Sequence, residues 1–100
     1  MNKIGEVWGF SVGAPSTIEA VAVCLQDNGI LGATITTGKG LWQGILEDCV
    51  LVSIAGLSEQ DAVALAHALR RQFSQEAVYV EHESVAYLAT KESSTVAFNL

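Results

Sequence analysis

The residues best equipped for chemistry run from Thr36 to Gly44, with the sequence Thr-Thr-Gly-Lys-Gly-Leu-Trp-Gln-Gly. Gly38, Lys39 and Gly40 read as an anion cradle: glycines let the backbone approach a ligand, consecutive N–H groups form a nest, and one lysine adds a point charge. Trp42 offers a stacking face for a planar base, and the amide of Gln43 can read its edge. Stacking of this kind is worth about 1–3 kcal/mol per base. The same residues also suit a hairpin tip, with glycines at positive φ, a solvated lysine, and Trp42 packed on a core edge or a neighbouring subunit. The segment lacks the spacing of a Walker loop and does not run directly into a helix.

Elsewhere the chemistry is sparse. Glu47 and Asp48 are adjacent, so on an extended strand they point to opposite faces and cannot work as an acid and base pair. Glu81, His82 and Glu83 form the one cluster of metal-type ligands in the sequence. Two of the three share a face while His82 points away, so a single strand does not assemble them around an ion. His67 borders the apolar stripe of a helix, ahead of Arg70 and Arg71, and nothing near it in sequence makes it a base. Cys24 and Cys49 lie within apolar runs, where a thiol packs as a small hydrophobe, and there is no nucleophile elbow. The expectation is no catalytic residue, no metal and no cofactor. The ligand-binding candidates are Gly38, Lys39, Gly40, Trp42 and Gln43, with Arg71 and Tyr79 as further polar contacts.

The elements that must position these residues follow from periodicity. From Ile4 to Val12, the residues Ile4, Trp8, Phe10 and Val12 share one parity, the signature of a half-buried strand. Ser16 with Glu19 reads as a capping box, Ile18, Val21, Ala22 and Leu25 form a helical stripe, and Asn28-Gly29 supplies the stop. Gly32 to Thr37 reads as a second strand leading into the glycine turn. In the third, from Glu47 to Ala55, Val50, Val52 and Ile54 alternate with Cys49, Leu51 and Ser53. Both faces are largely apolar, which places this strand in the middle of a sheet. Ser58 with Asp61 starts a second helix, whose stripe is Ala62, Leu65, Ala66, Leu69 and Phe73. A fourth strand spans Ala77 to His82, and Val85 to Leu88 with Val96 to Leu100 reads as an added hairpin around Lys91-Glu92-Ser93-Ser94.

The order strand, helix, strand, strand, helix, strand is that of an α+β, ferredoxin-like βαββαβ domain, here a single domain over residues 1–100 with an extra C-terminal β-hairpin. Both helices would cover one face of the antiparallel sheet. The other face, carrying Val7, Cys49, Leu51, Ser53, Tyr79 and Glu81, needs cover from the hairpin or from another subunit. Half of the residues are hydrophobic, more than a small monomer hides, which also points to a homo-oligomer.

A net charge of -6, from eleven acids against five bases, excludes DNA or long RNA as a partner, because a phosphate backbone needs a concentrated basic face. A mononucleotide or short cyclic nucleotide stays open, since one lysine and a few N–H groups neutralise a phosphate locally. The start lacks the pattern of a signal peptide, and no run of about 18 apolar residues could span a bilayer. A cytoplasmic protein without a membrane partner is expected.

The element order, with a glycine-containing connection between the second and third strands, resembles the PII and CutA type of ferredoxin-like proteins. That resemblance implies a trimer or higher oligomer that binds small ligands in clefts between subunits. The connection is shorter than the long PII regulatory loop, and the C-terminal hairpin is additional. A second resemblance, carried by Trp42-Gln43-Gly44, Glu47-Asp48 and Gln75-Glu76, is to small phage and mobile-element proteins, some of which sequester nucleotide signals. The reading is therefore an oligomeric protein that binds a small anionic or nucleotide-like ligand by sensing or sequestration. Its rivals are a protein-interaction module using the exposed sheet face, and a small hydrolase or lyase with His67, His82 or Glu81 contributed at a subunit boundary.

Overall fold

Trp8, Phe10 and Val12 alternate with Gly9, Ser11 and Gly13, and in the computed structural model this alternation forms β1 (Val7–Gly13), its even residues buried and its odd residues turned outward. The structure describes residues 6–82, 85–91 and 96–99. Expectations for Ile4, Glu83 and the turn residues Glu92, Ser93 and Ser94 lie outside the described residues.

Helix α1 (Ile18–Asp27) begins one residue later than the capping box implied. The Ser16 hydroxyl turns back to the Val12 carbonyl at 3.3 Å, and Thr17 is the cap, accepting from the Ala20 N–H at 3.1 Å. That side-chain acceptor satisfies one of the amide donors that the first helical turn leaves without a partner. Helix α2 (Glu59–Gln72) starts as its sequence indicates, with the Asp61 N–H donating to Ser58 Oγ at 3.1 Å.

β2 (Thr34–Trp42) and β3 (Ile45–Ala55) differ most from expectation. The stretch Gly38-Lys39-Gly40 is not a turn. It continues β2, with Gly38, Lys39 and Gly40 opposite Cys49, Asp48 and Glu47 in the ladder. The chain reverses instead at Gln43 and Gly44, whose φ angles of 50° and 78° are those of a two-residue hairpin turn that matches the twist of its strands. β4 (Ala77–His82) has the expected bounds. β5 (Val85–Thr90) and β6 (Val96–Asn99) pair with each other, and β5 also pairs with β4.

The result is one antiparallel sheet in the order β2-β3-β1-β4-β5-β6, with β3 inside it as its apolar faces require. Trp8, Phe10 and Val12 meet Val50, Val52, Ile54, Val78 and Val80 on one face, against Val21, Cys24 and Leu25 of α1 and Ala62, Leu65, Ala66 and Leu69 of α2. Both helices thus lie on that face. The C-terminal hairpin lengthens the sheet sideways rather than folding across it, so among the described residues nothing covers the opposite face.

Candidate functional site

The register assembles a cleft on the uncovered face. Pairing runs Gly13 against Cys49 and Gly40 against Glu47, while Ser11 stands opposite Tyr79 on the other side of β1. All of these have the parity that points away from the helices. They line a cleft of about 440 Å³, walled on the β2 side by Trp42 and on the other by Gln75, Glu76 and Ala77. Trp42 is 39% exposed, so its ring is open to a ligand on that wall.

The end of α2 aims Gln75 into the cleft. The helix closes with Ser74 in the left-handed region at φ 53°, with the Ser74 N–H on Arg71 O at 3.3 Å and the Gln75 N–H on Arg70 O at 2.8 Å. This is the paired bonding of a Schellman motif. The Gln75 side-chain amide then donates to the carbonyls of Phe73 at 3.1 Å and Ala14 at 3.3 Å. With its N–H groups committed, the amide leaves Oε1 beside Gly13 as an acceptor that takes no hydrogen bond among the described residues. Glu47 Oε1 reaches the same point: a β-carbon on Gly13 would lie 2.7 Å from Glu47 Oε1 and 2.9 Å from Gln75 Oε1. Two acceptor oxygens therefore converge above the end of β1.

The electrostatics of the cleft are acidic. Glu47 and Glu76 line it, and no lysine, arginine or histidine is among its described lining. At the Tyr79 wall, desolvation first, then the Glu81 charge and the hydrogen bond to that carboxylate, raise the phenol above its ordinary pKa, so it stays a neutral O–H donor. Cys49 is buried at the floor, its sulfur 3.7 Å from where a β-carbon on Gly40 would stand.

The structure splits the candidates taken from sequence. Gly40, Trp42 and Tyr79 line the cleft. Gly38 and Lys39 border a different hollow of about 550 Å³ beside the start of α1, where the Lys39 ammonium is 2.5 Å from the Asp48 carboxylate. Gln43 forms the hairpin turn, and Arg71 ends α2, exposed and outside the cleft lining. The nest of N–H groups expected over Gly38 to Gly40 is replaced by strand backbone. Glu47 and Asp48 do face opposite ways, one into the cleft and the other toward Lys39.

The residues that the candidate set lacked are Glu47, Gln75 and Glu76. The acidic start of β3 and the Gln-Glu pair before β4 were visible as isolated features, but only the register and the end of α2 bring them together. Neither histidine is at the cleft. The His82 ring stacks on Trp8 at 3.9 Å with Glu6 beside its Nε2, and Trp8 Nε1 donates to Leu57 O at 3.0 Å. His67 Nδ1 accepts from Arg70 Nε at 3.2 Å. Among the described residues no three His, Cys, Asp or Glu side chains group around a point where an ion could sit, and no helix is long and apolar enough to cross a membrane.

No protein-family model and no curated protein sequence matches the chain. Among solved structures, the fold is similar to that of a phage SAM lyase in its apo state, with a TM-score of 0.63 and 22% identity over 100% of this chain and 95% of the other.

Proposed function

We propose that this protein is a small lyase acting on S-adenosylmethionine, breaking a carbon–sulfur bond at the sulfonium centre. The observation that carries the reading is the acidic cleft, where Glu47, Glu76 and the Gln75 carbonyl oxygen face an aromatic wall with no basic side chain in the lining. S-adenosylmethionine brings two positive charges, sulfonium and ammonium, against one carboxylate. A carboxylate about 4 Å from a unit positive charge gains roughly 4 kcal/mol at the effective dielectric of a protein surface. The indole of Trp42 suits either the adenine ring or the sulfonium itself. Likeness in fold to a SAM lyase raises the prior for this chemistry, and the cleft supplies the argument from the site.

The reaction asks little of the protein. As the carbon–sulfur bond breaks, its electron pair stays with sulfur, which leaves as a neutral thioether. The substrate's own carboxylate oxygen forms the new bond to that carbon and closes a five-membered lactone that keeps the ammonium charge, so no proton is transferred. The tasks left to the chain are to hold the cation, fold the substrate into a reactive shape and keep water away. Glu47 and Gln75 hold the cationic portion, and Trp42 packs on the base. In this reading the lyase uses cleft residues, and His67 and His82 have structural roles.

The strand order β2-β3-β1-β4 with two helices on one face is read as the ferredoxin-like split, with β5 and β6 appended. The uncovered face, with Val7, Leu51 and Tyr79 exposed, is read as the seat of further copies of the chain, in the manner of the PII and CutA resemblance. A neighbouring subunit would then close the cleft.

Incubating the purified protein with S-adenosylmethionine, then denaturing it and resolving the mixture by liquid chromatography and mass spectrometry, tests the reading. The expected outcome is loss of substrate with a neutral thioether nucleoside formed in equal amount, slowed roughly 10²-fold by Glu47→Gln through loss of the charge. Full recovery of intact S-adenosylmethionine after denaturation would overturn the lyase and leave sequestration. No binding at all would return the face to the protein-interaction reading.

A further inference from the structure

We infer that Gly13 is a positioning residue, whose missing side chain is what allows Glu47 and Gln75 to converge. Glycine inside a strand is disfavoured relative to alanine, so its presence at the end of β1 calls for a reason. Backbone conformation is not the reason. Gly13 is not among the glycines of positive φ, which among the described residues are Gly29, Gly44 and Gly56, and it pairs with Cys49 in an ordinary antiparallel ladder. Its φ lies outside the left-handed region that favours glycine.

Space is the reason, and the atoms that need it are those of the site. A β-carbon would meet Glu47 Oε1 at 2.7 Å, Gln75 Oε1 at 2.9 Å and Glu47 Cδ at 3.4 Å. None of these is backbone or core. They are the ends of two flexible side chains, which can move aside without disturbing the fold. Gly9 supplies an internal comparison, since it lies on the same strand and the same face. A β-carbon there would touch Glu81 Cβ at 3.7 Å and Val52 O at 3.9 Å, ordinary contacts that an alanine makes without displacing anything.

A methyl group on Gly13 therefore leaves the protein folded and drives apart the two acceptors. Gln75 is tied through its amide to Ala14 and Phe73, so moving Oε1 also disturbs those two solvent-accessible hydrogen bonds, a small loss that the reduced freedom of the unfolded chain with alanine offsets. The inference deepens the lyase reading where activity is concerned, but its structural consequence stands apart from that reading.

The experiment compares Gly13→Ala with Gly9→Ala in three measurements. Gly13→Ala is expected to keep or raise the melting temperature and to shift the Gln75 side-chain amide signals in a ¹H–¹⁵N spectrum toward those of a solvated glutamine. It should also lower kcat/KM for S-adenosylmethionine by roughly 10²-fold, the scale of an ångström misplacement in a site. Gly9→Ala should leave the Gln75 signals and kcat/KM unchanged. Unmoved Gln75 signals in Gly13→Ala would overturn the inference whether or not the protein cleaves anything, as would a melting temperature that falls alongside a loss of activity. If the Gln75 signals move as expected while the wild-type protein leaves S-adenosylmethionine intact, Gly13 keeps its positioning role and the lyase reading fails.

Discussion

Replacing Ser74 with glycine should stabilise the fold by about 0.5–1 kcal/mol, a gain that follows from comparing the two helix ends. Helix α1 closes through Gly29 at φ 80°, with the Gly29 N–H on Gln26 O at 3.0 Å and the Ile30 N–H on Leu25 O at 2.9 Å. Helix α2 closes with the same bonding pattern, but the left-handed position is filled by Ser74 at φ 53°. An L-residue loses roughly 1–2 kcal/mol there through the clash of its β-carbon with the following carbonyl. Glycine removes that clash and gives back about 0.5–1 kcal/mol through the greater freedom of its unfolded chain. The reciprocal change, Gly29→Ala, should destabilise by a similar amount. In a domain of about 100 residues these differences move the melting temperature by about 2–8 °C in opposite directions, read by thermal and urea unfolding with the buried Trp8 as the fluorescent reporter. A fall in stability for Ser74→Gly, or a neutral Gly29→Ala, would refute the assignment of these ends. The strained serine stands immediately before Gln75, at the border of the cleft, where residues held in sparsely populated backbone regions tend to collect.

Leu69, fully buried where α2 meets the sheet, should cost about 2–5 kcal/mol when replaced by alanine, measured by urea unfolding; a loss under about 1 kcal/mol would mean that α2 does not pack as described. The raised pKa of Tyr79 predicts that its stabilising contribution is complete below the free phenol value of about 10 and is lost as pH rises through the higher folded value. A difference titration at 295 nm against Tyr79→Phe should place the midpoint above the free value. Glu81→Gln should lower it only in part, because desolvation is the leading cause; a midpoint at or below the free value would contradict the geometry.

Much of the fold was legible because its signals are local. The alternation of Trp8, Phe10 and Val12, and that of Val50, Val52 and Ile54, selects the helix-side face without knowledge of what packs on it. The same parity gave the membership of the uncovered face. Ser58 announces α2 because a cap and the N–H donor it satisfies lie three residues apart. The position of the C-terminal hairpin was not legible, since periodicity describes a strand and not its neighbour. Glu47 and Gln75 stayed apart in the sequence for the same reason. Their meeting depends on the pairing of β1 with β3 and on the way α2 ends.

The glycines of β2 show how one local misreading changes the chemistry expected of a site. Gly38 and Gly40 signal a turn when only their own segment is considered. At Gly38 a reason lies across the ladder, where Leu51 Cδ1 stands 3.1 Å from the missing β-carbon, whereas a β-carbon on Gly40 would make only an ordinary contact with the Cys49 sulfur at 3.7 Å. In a turn, Lys39 and Trp42 could point to one place, and the pair would favour an anion. In a strand the side chains alternate, so Lys39 goes to the helix side and meets Asp48, while Trp42 goes to the open side with Gly40 and Glu47. The aromatic wall keeps its place, but its charged companion becomes a carboxylate. That reversal of sign turns an expected phosphate cradle into a cleft suited to a cation, and it depends only on β2 continuing as far as Trp42.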